Sequence, residues 1–104
     1  MKKVKLRKTG QIYLPKTVAK ILNIKVGDFI NIFLDGKKIV LTSREGFEQE
    51  NKCIYSRSGT VHIPVEIRKL NNINSDTSFT ISIDEKVKSL CLIPEADKVV
   101  LAID

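Results

Sequence analysis

Thr9-Gly10-Gln11-Ile12-Tyr13-Leu14-Pro15 recurs 49 positions later as Ser58-Gly59-Thr60-Val61-His62-Ile63-Pro64. The similarity continues downstream, where the apolar positions of residues 30–34 match those of residues 79–83. A self-match at one period over most of a chain indicates two copies of one supersecondary unit. Each copy is too short to bury a core of its own, so we expect the two copies to complete each other.

The first copy begins with two short strands joined by a turn. Val4 and Leu6 alternate with basic residues, as in a half-buried strand. Gly10 indicates a turn or bulge, because glycine reaches backbone angles that other residues avoid. In the next strand the alternation points Ile12 and Leu14 toward the core, which leaves Gln11 and Tyr13 on the opposite side.

A short helix and a hairpin complete the first copy. Pro15 suits the first position of a helix, since it has no amide hydrogen to leave unbonded. Residues 16–22 have the spacing of an amphipathic helix, and Asn23 is a plausible end for it. Residues 29–34 and 39–41 read as strands, joined at Asp35-Gly36 by a strong hairpin signal.

The second copy repeats this order with a longer hairpin. We expect strands at residues 53–57, 61–63, 78–83 and 89–93, and a helix that begins at Pro64 and ends near Leu70. Residues 98–103 read as a further strand. An alternative register pairs residues 90–93 with residues 99–103, and the sequence leaves both open.

The formal net charge of +6 is concentrated in the first half of the chain. Residues 1–52 carry twelve Lys and Arg against five Asp and Glu, a net +7, whereas residues 53–104 carry six against seven, a net −1. A basic face of this kind is expected of a protein that binds a polyanion. The alternative is a solvated lysine-rich surface without a partner.

Other classes of function find little support in the sequence. The two cysteines, Cys53 and Cys91, are too few for a disulfide framework, and the sole histidine, His62, does not complete a zinc site with them. No nucleophile, base and carboxylate stand together as a catalytic set, so we expect no enzyme and no cofactor. No apolar run is long enough for a signal peptide or a membrane span, which predicts a cytoplasmic protein with free thiols and no membrane partner.

The motifs in both copies resemble a known family. The basic first strand, the run Gly10-Gln11-Ile12-Tyr13-Leu14-Pro15-Lys16 and the run Leu22-Asn23-Ile24-Lys25-Val26-Gly27-Asp28 are similar to the AbrB/SpoVT swapped-hairpin family. Residues 59–69 are similar to the same motif, although Asp76-Thr77 replaces the Gly-Asp turn. The resemblance covers residues 3–42 and 52–93.

The resemblance implies a fold class and a domain organisation. It implies a mostly β fold with short helices, in which tandem strand–strand–helix–hairpin repeats form one swapped-hairpin, pseudo-dimeric β-barrel. The tandem arrangement resembles the MraZ type. We place the first repeat at residues 1–42, a linker at 43–52 and the second repeat, with its extra C-terminal strand, at 53–104.

The resemblance also implies a partner, double-stranded DNA, and a role in transcription regulation. We expect the following residues to bind DNA: Lys5, Arg7, Lys8, Gln11, Tyr13, Lys16, Lys20, Arg57, His62, Arg68 and Lys69. The pair after the helix start, which carries DNA contacts in the family, is Ala19-Lys20 in copy one and Arg68-Lys69 in copy two, so Ala19 departs from the pattern. Structural roles remain the alternative for Tyr13 and His62, and solvation for Arg57 and Arg68.

Two rival functions stay open. The first is an antitoxin, which binds DNA and also a toxin; the strand-like end at residues 98–103 argues against it, because antitoxins normally carry a disordered tail. The second is a protein-binding module that no longer binds DNA, which the −1 charge of the second half favours and the +7 of the first opposes. Assembly into a homo-oligomer is left open.

Overall fold

The computed structural model describes residues 3–43, 51–74 and 77–95. Within these ranges the chain forms short strands and two short helices. In chain order they are β1 (Lys3–Lys5), β2 (Gln11–Tyr13), α1 (Lys16–Leu22), β3 (Phe29–Asp35), β4 (Lys38–Thr42), β5 (Lys52–Ile54), β6 (Thr60–His62), α2 (Val65–Leu70), β7 (Ser78–Asp84) and β8 (Ser89–Pro94). The mostly β fold class with short helices is therefore confirmed.

The strands form two antiparallel sheets that exchange elements between the two halves of the chain. The larger sheet has the order β1-β7-β8-β4-β3-β5, and the smaller one is a two-stranded ribbon of β2 and β6. Each hairpin, β3–β4 or β7–β8, takes an edge strand from the other half: β5 pairs with β3, and β1 pairs with β7. This exchange is the swapped-hairpin pattern.

The pairing register repeats under the same shift as the sequence. Val4 lies opposite Phe79, and the residues 49 positions away from each, Cys53 and Ile30, also lie opposite each other. Beyond the hairpins the shift grows to 51, because the loop of the second hairpin holds four residues, 85–88, where the first holds two, 36–37. This repeated pairing relates the two halves by an approximate two-fold axis.

The helices occupy the predicted residues, with one correction at their starts. Pro15 and Pro64 precede the helices instead of opening them, since their ψ angles of 151° and 146° are extended. The carbonyl of Pro15 accepts hydrogen bonds from the amides of Val18 and Ala19, so it still begins the helical pattern. Asn23 ends α1 in the left-handed conformation, with φ of 57°.

One apolar core joins both sheets and both helices. Ile12 and Leu14 from the first half and Ile63 from the second are completely buried in it, together with apolar side chains of the larger sheet. Cys53 also lies in this core, where burial raises the pKa of its thiol to about 12. The ribbon and the helices are therefore fixed against the larger sheet, and this sets the positions of the turns described below.

Some predicted strand boundaries differ from those in the structure, and some predictions concern residues outside the described ranges. The strand predicted at residues 53–57 is shorter, Lys52–Ile54, because a turn begins at Ser56; the strand predicted at 61–63 is Thr60–His62. β8 pairs with β4 and β7. Three predictions concern residues outside the described ranges: the centre of the predicted linker (44–50), the strand at 98–103 with its alternative register, and the turn at Asp76. Neither helix in the described ranges has the length and apolar character that crossing a membrane requires.

Candidate nucleic-acid interface

The ribbon β2–β6 carries three of the predicted contact residues on its exposed side. Gln11 lies opposite His62, and Tyr13 lies opposite Thr60. Between these pairs, Ile12 and Val61 face the core. His62 is exposed and Gln11 is half-buried.

The first turn, residues 7–10, leads into β2. The amide of Arg7 donates to the carbonyl of Gln11, and the amide of Gly10 donates to the carbonyl of Arg7, at 2.9 and 2.8 Å. Gly10 has φ of +85°, a conformation that side chains other than glycine disfavour. The hydrogen bonds close the turn and leave Arg7 and Lys8 exposed at its tip.

The second turn, residues 56–59, has the same backbone bonds 49 positions later. The amide of Ser56 donates to the carbonyl of Thr60, and the amide of Gly59 donates to that of Ser56, both at 2.9 Å. The hydroxyls of Ser56 and Thr60 are 2.7 Å apart, and Ser58 lies within hydrogen-bond distance of both. Sequence reasoning missed this hydroxyl network, which rigidifies the turn and leaves Arg57 exposed at its tip.

Arg68 and Tyr13 each cover the turn of the opposite half. The Nε of Arg68 donates to the carbonyl of Ile63 at 3.0 Å, and its guanidinium lies against Gly10. The ring of Tyr13 lies against Gly59. Both residues were predicted to bind DNA, and in this structure each also has an internal contact.

The exchange between halves distributes the basic residues over two clusters. The guanidinium of Arg68 on α2 lies against the first turn, so we group Arg7, Lys8, Arg68 and Lys69 as the first cationic cluster. The second turn lies beside the start of α1, because the amide of Leu14 donates to the carbonyl of Gly59 at 2.8 Å. We group the basic residues of this turn and of α1, Lys16, Lys20 and Arg57, as the second cationic cluster. Each cluster combines residues from both halves, so the +7 and −1 of the two halves do not correspond to two separate faces.

The candidate cations have no carboxylate partner among the described residues. The ion pair found there joins Lys3 and Glu95 at 3.2 Å, outside both clusters. Lys5 also lies outside them, on β1 opposite Ser78 in the larger sheet. The charges of both clusters thus remain available to a polyanion. The described residues contain no group of three His, Cys, Asp or Glu suited to a metal ion.

The described residues also include an exposed apolar group. Phe29 and Ile54 are opposite each other on β3 and β5, and their side chains are 66% and 48% exposed. Val26, in the preceding turn, is exposed as well. The residues that correspond to Ile54 and Phe29 in the other half are Lys5 and Ser78, so only one half presents apolar side chains here. The sequence shift of 49 positions could have revealed this difference.

Comparisons with known proteins support the fold and part of the resemblance. Residues 3–48 match the model of a family described as antidote-toxin recognition MazE, bacterial antitoxin. The solution structure of PHS018 from Pyrococcus horikoshii is similar over 89% of this chain and 87% of that one, with 23% sequence identity and a TM-score of 0.55. None of the curated proteins compared matches the chain. At the level of sequence, the similarity is thus to a MazE-type antitoxin domain in the first half.

Proposed function

We propose that this protein is a non-catalytic regulator of transcription that binds double-stranded DNA. The observation that carries the proposal is the placement of two exposed basic turns, at residues 7–10 and 56–59, on either side of the ribbon β2–β6. Neither turn forms an ion pair with a described carboxylate. We place this regulator in the cytoplasm, because it acts on the genome there.

Affinity comes mainly from the phosphates. Lysine and arginine of the two cationic clusters displace counterions from the duplex, so binding weakens steeply as salt increases. About six to eight phosphate contacts give a log–log salt slope of roughly −5 to −7. The hydrogen-bonded turns favour this role, because they fix the backbone that carries Arg7, Lys8 and Arg57.

Base readout comes from the ribbon. A two-stranded ribbon fits the major groove, and the amide of Gln11 can bond the edge of an adenine. His62, directly opposite, offers a second polar edge beside it. Since the pairs Gln11–His62 and Tyr13–Thr60 differ chemically, we expect an operator whose half-sites are not identical.

One chain supplies both halves of this DNA-binding unit, in a tandem arrangement similar to the MraZ type. The strand exchange between the two halves supports this view, since β1 and β5 each complete the sheet of the other half. A single chain therefore does not need a second copy to present both turns. Further assembly remains compatible with the proposal.

Fluorescence anisotropy with an AT-rich duplex, over a series of salt concentrations, tests the proposal. Arg7→Ala with Lys8→Ala removes the first tip, and we expect the salt slope to become shallower by about 1.8, or 0.9 for each lost contact. Lys37→Ala with Lys86→Ala is the matched control, because it removes the same charge from exposed hairpin residues. Equal loss from both variants would show that net charge alone is measured and would contradict the proposed site.

An antitoxin is the second candidate function. The match of residues 3–48 to the MazE antitoxin model favours it, and so does the exposed apolar group of Val26, Phe29 and Ile54, which offers a protein partner a dry contact. Co-purification of a small toxin that Phe29→Ser abolishes, with duplex binding retained, would support this candidate. Binding of a protein with no affinity for any duplex would instead support a module that has lost DNA binding.

A further inference from the structure

We infer that Arg68 is a positioning residue, which holds the first turn in the shape that presents Arg7 and Lys8 to the duplex. This inference rests on the proposed function and changes the role expected for Arg68, from a phosphate or base contact to an internal one. Arg68 belongs to the second half of the chain, and the turn it holds belongs to the first. The contact is therefore made across the approximate two-fold axis.

Ile63 connects Arg68 to the turn through its backbone. The amide of Ile63 donates to the carbonyl of Gly10 at 2.8 Å, and the carbonyl of Ile63 accepts from the Nε of Arg68 at 3.0 Å. Both bonds involve one residue at the end of the ribbon, whose side chain is completely buried in the core. The Nε–H of Arg68 is therefore used inside the protein, which orients the guanidinium with respect to Gly10.

The guanidinium also fills the space above Gly10. A Cβ atom at that position would lie 2.8 Å from Cζ of Arg68, 3.0 Å from Nη2 and 3.1 Å from Nε. Three atoms of one planar group at nearly equal distances show that its face lies on the glycine. Gly10 is therefore required twice, once for its φ of +85° and once for the approach of Arg68.

The second turn lacks an equivalent cation, which makes the role of Arg68 specific to the first. The residue 49 positions before Arg68 is Ala19, and its methyl group is buried in the core. Gly59 is covered instead by the ring of Tyr13, since a Cβ atom on this glycine would lie 3.0 Å from Cε1 and 3.4 Å from Cδ1. An aromatic ring and the hydroxyl network of Ser56 and Thr60 thus hold the second turn without a charge.

Lysine and alanine at position 68 separate this role from a phosphate contact. Lysine keeps the positive charge, so it can still bind a phosphate. It lacks the planar guanidinium and its Nε–H, so it cannot make the contacts that hold the turn. We expect Arg68→Lys to weaken duplex binding by roughly tenfold, nearly as much as Arg68→Ala does. This factor corresponds to the loss of one charge-assisted hydrogen bond. Lys86→Arg, at an exposed hairpin position outside both clusters, is the control and should bind as the wild-type chain does.

Two further measurements decide the inference. In ¹H–¹⁵N spectra of the free protein, Arg68→Lys should shift the amide resonances of residues 7–11 and leave those of residues 56–60 in place. In a double-mutant cycle, Arg68→Lys should cost no further affinity once Arg7→Ala and Lys8→Ala are present, because both act through the same turn. Full affinity of Arg68→Lys, or unchanged resonances in the first turn, would overturn the inference. Absence of duplex binding by the wild-type chain would overturn the proposed function instead, and the spectra alone would then decide what Arg68 holds.

Discussion

Ile12 lies directly opposite Val61 in the ribbon, and both side chains are almost completely excluded from solvent. Because these residues are 49 positions apart, they are equivalent in the two halves, and the approximate two-fold axis passes between them. Val40 and Cys91 are a similar pair on β4 and β8, 51 positions apart. The axis thus runs through the ribbon and the centre of the larger sheet.

Truncation of Ile12 measures how strongly the ribbon is held on the core. Ile12→Val should lower the free energy of unfolding by about 0.5–1.5 kcal/mol and Ile12→Ala by about 2–5 kcal/mol, since a fully buried side chain leaves a cavity that the surroundings fill only in part. Urea unfolding of both variants checks this. Lys8→Ala, at an exposed tip, is the control and should stay within about 0.5 kcal/mol of the wild type. Equal effects from all three would mean that the ribbon does not pack as described.

Substitution of two glycines separates backbone strain from contact with Arg68. Gly10 and Gly27 both have positive φ, +85° and +93°, but a Cβ at Gly27 meets nothing within 4 Å. Gly27→Ala should cost about 1–2 kcal/mol from conformation alone. Gly10→Ala should cost more, because the guanidinium must move. Thermal unfolding measures both, and Arg68→Ala should remove the excess when combined with Gly10→Ala.

Sequence patterns predict the features of this molecule that involve residues close together in the chain, and not the contacts between residues far apart in it. The helix at residues 16–22, its end at Asn23 and the inward side chains of Ile12 and Leu14 follow from local spacing, and the structure has all of them. The contact between Gly10 and Arg68 does not, because it joins residues that only the strand exchange brings together. Local patterns give the elements, whereas the contacts across the axis depend on how the halves interlace.

The same limit applies to the charges of the candidate site. The net charge is +7 in the first half and −1 in the second, which puts the excess of cations in the first half. In the folded chain Arg68 lies against the turn that carries Arg7, so the first cationic cluster draws on both halves. Summing charges along a chain describes its surface only where neighbours in sequence are also neighbours in space.

Burial of Cys53 predicts a stability that falls at alkaline pH. The folded state raises the pKa of this thiol from 9.0 to about 12, so its contribution is fully present below pH 9 and is lost as the pH rises from 9 toward 12. The loss should not exceed about 1.4 kcal/mol per pH unit. Urea unfolding at pH 8 and pH 10.5, with Cys53→Ala as the control that lacks the titrating group, checks the sign. A wild-type loss no larger than that of the alanine variant would contradict the assignment.

Exchange of the exposed apolar pair for its counterparts should leave the fold intact. Phe29→Ser with Ile54→Lys installs the residue types of Ser78 and Lys5, which occupy the same pairing in the other half. Since both side chains are largely exposed, we expect a change in the free energy of unfolding below about 1 kcal/mol, the span of strand propensities. Calorimetry checks this. A much larger loss would mean that the pair is buried in solution by another surface.

Removing charge from each half in turn tests whether both contribute to binding. Arg7→Ala with Lys8→Ala takes two cations from the first half, and Arg57→Ala with Lys69→Ala takes two from the second. Because the clusters combine residues of both halves, we expect the two variants to lose affinity for a duplex equally, with slopes shallower by about 1.8 in each case. A second-half variant that binds as the wild type does would confine the site to the half whose net charge is +7, despite the interlaced fold. Equal losses would instead mean that a duplex contacts both turns at once, which requires the two halves to act as one binding surface.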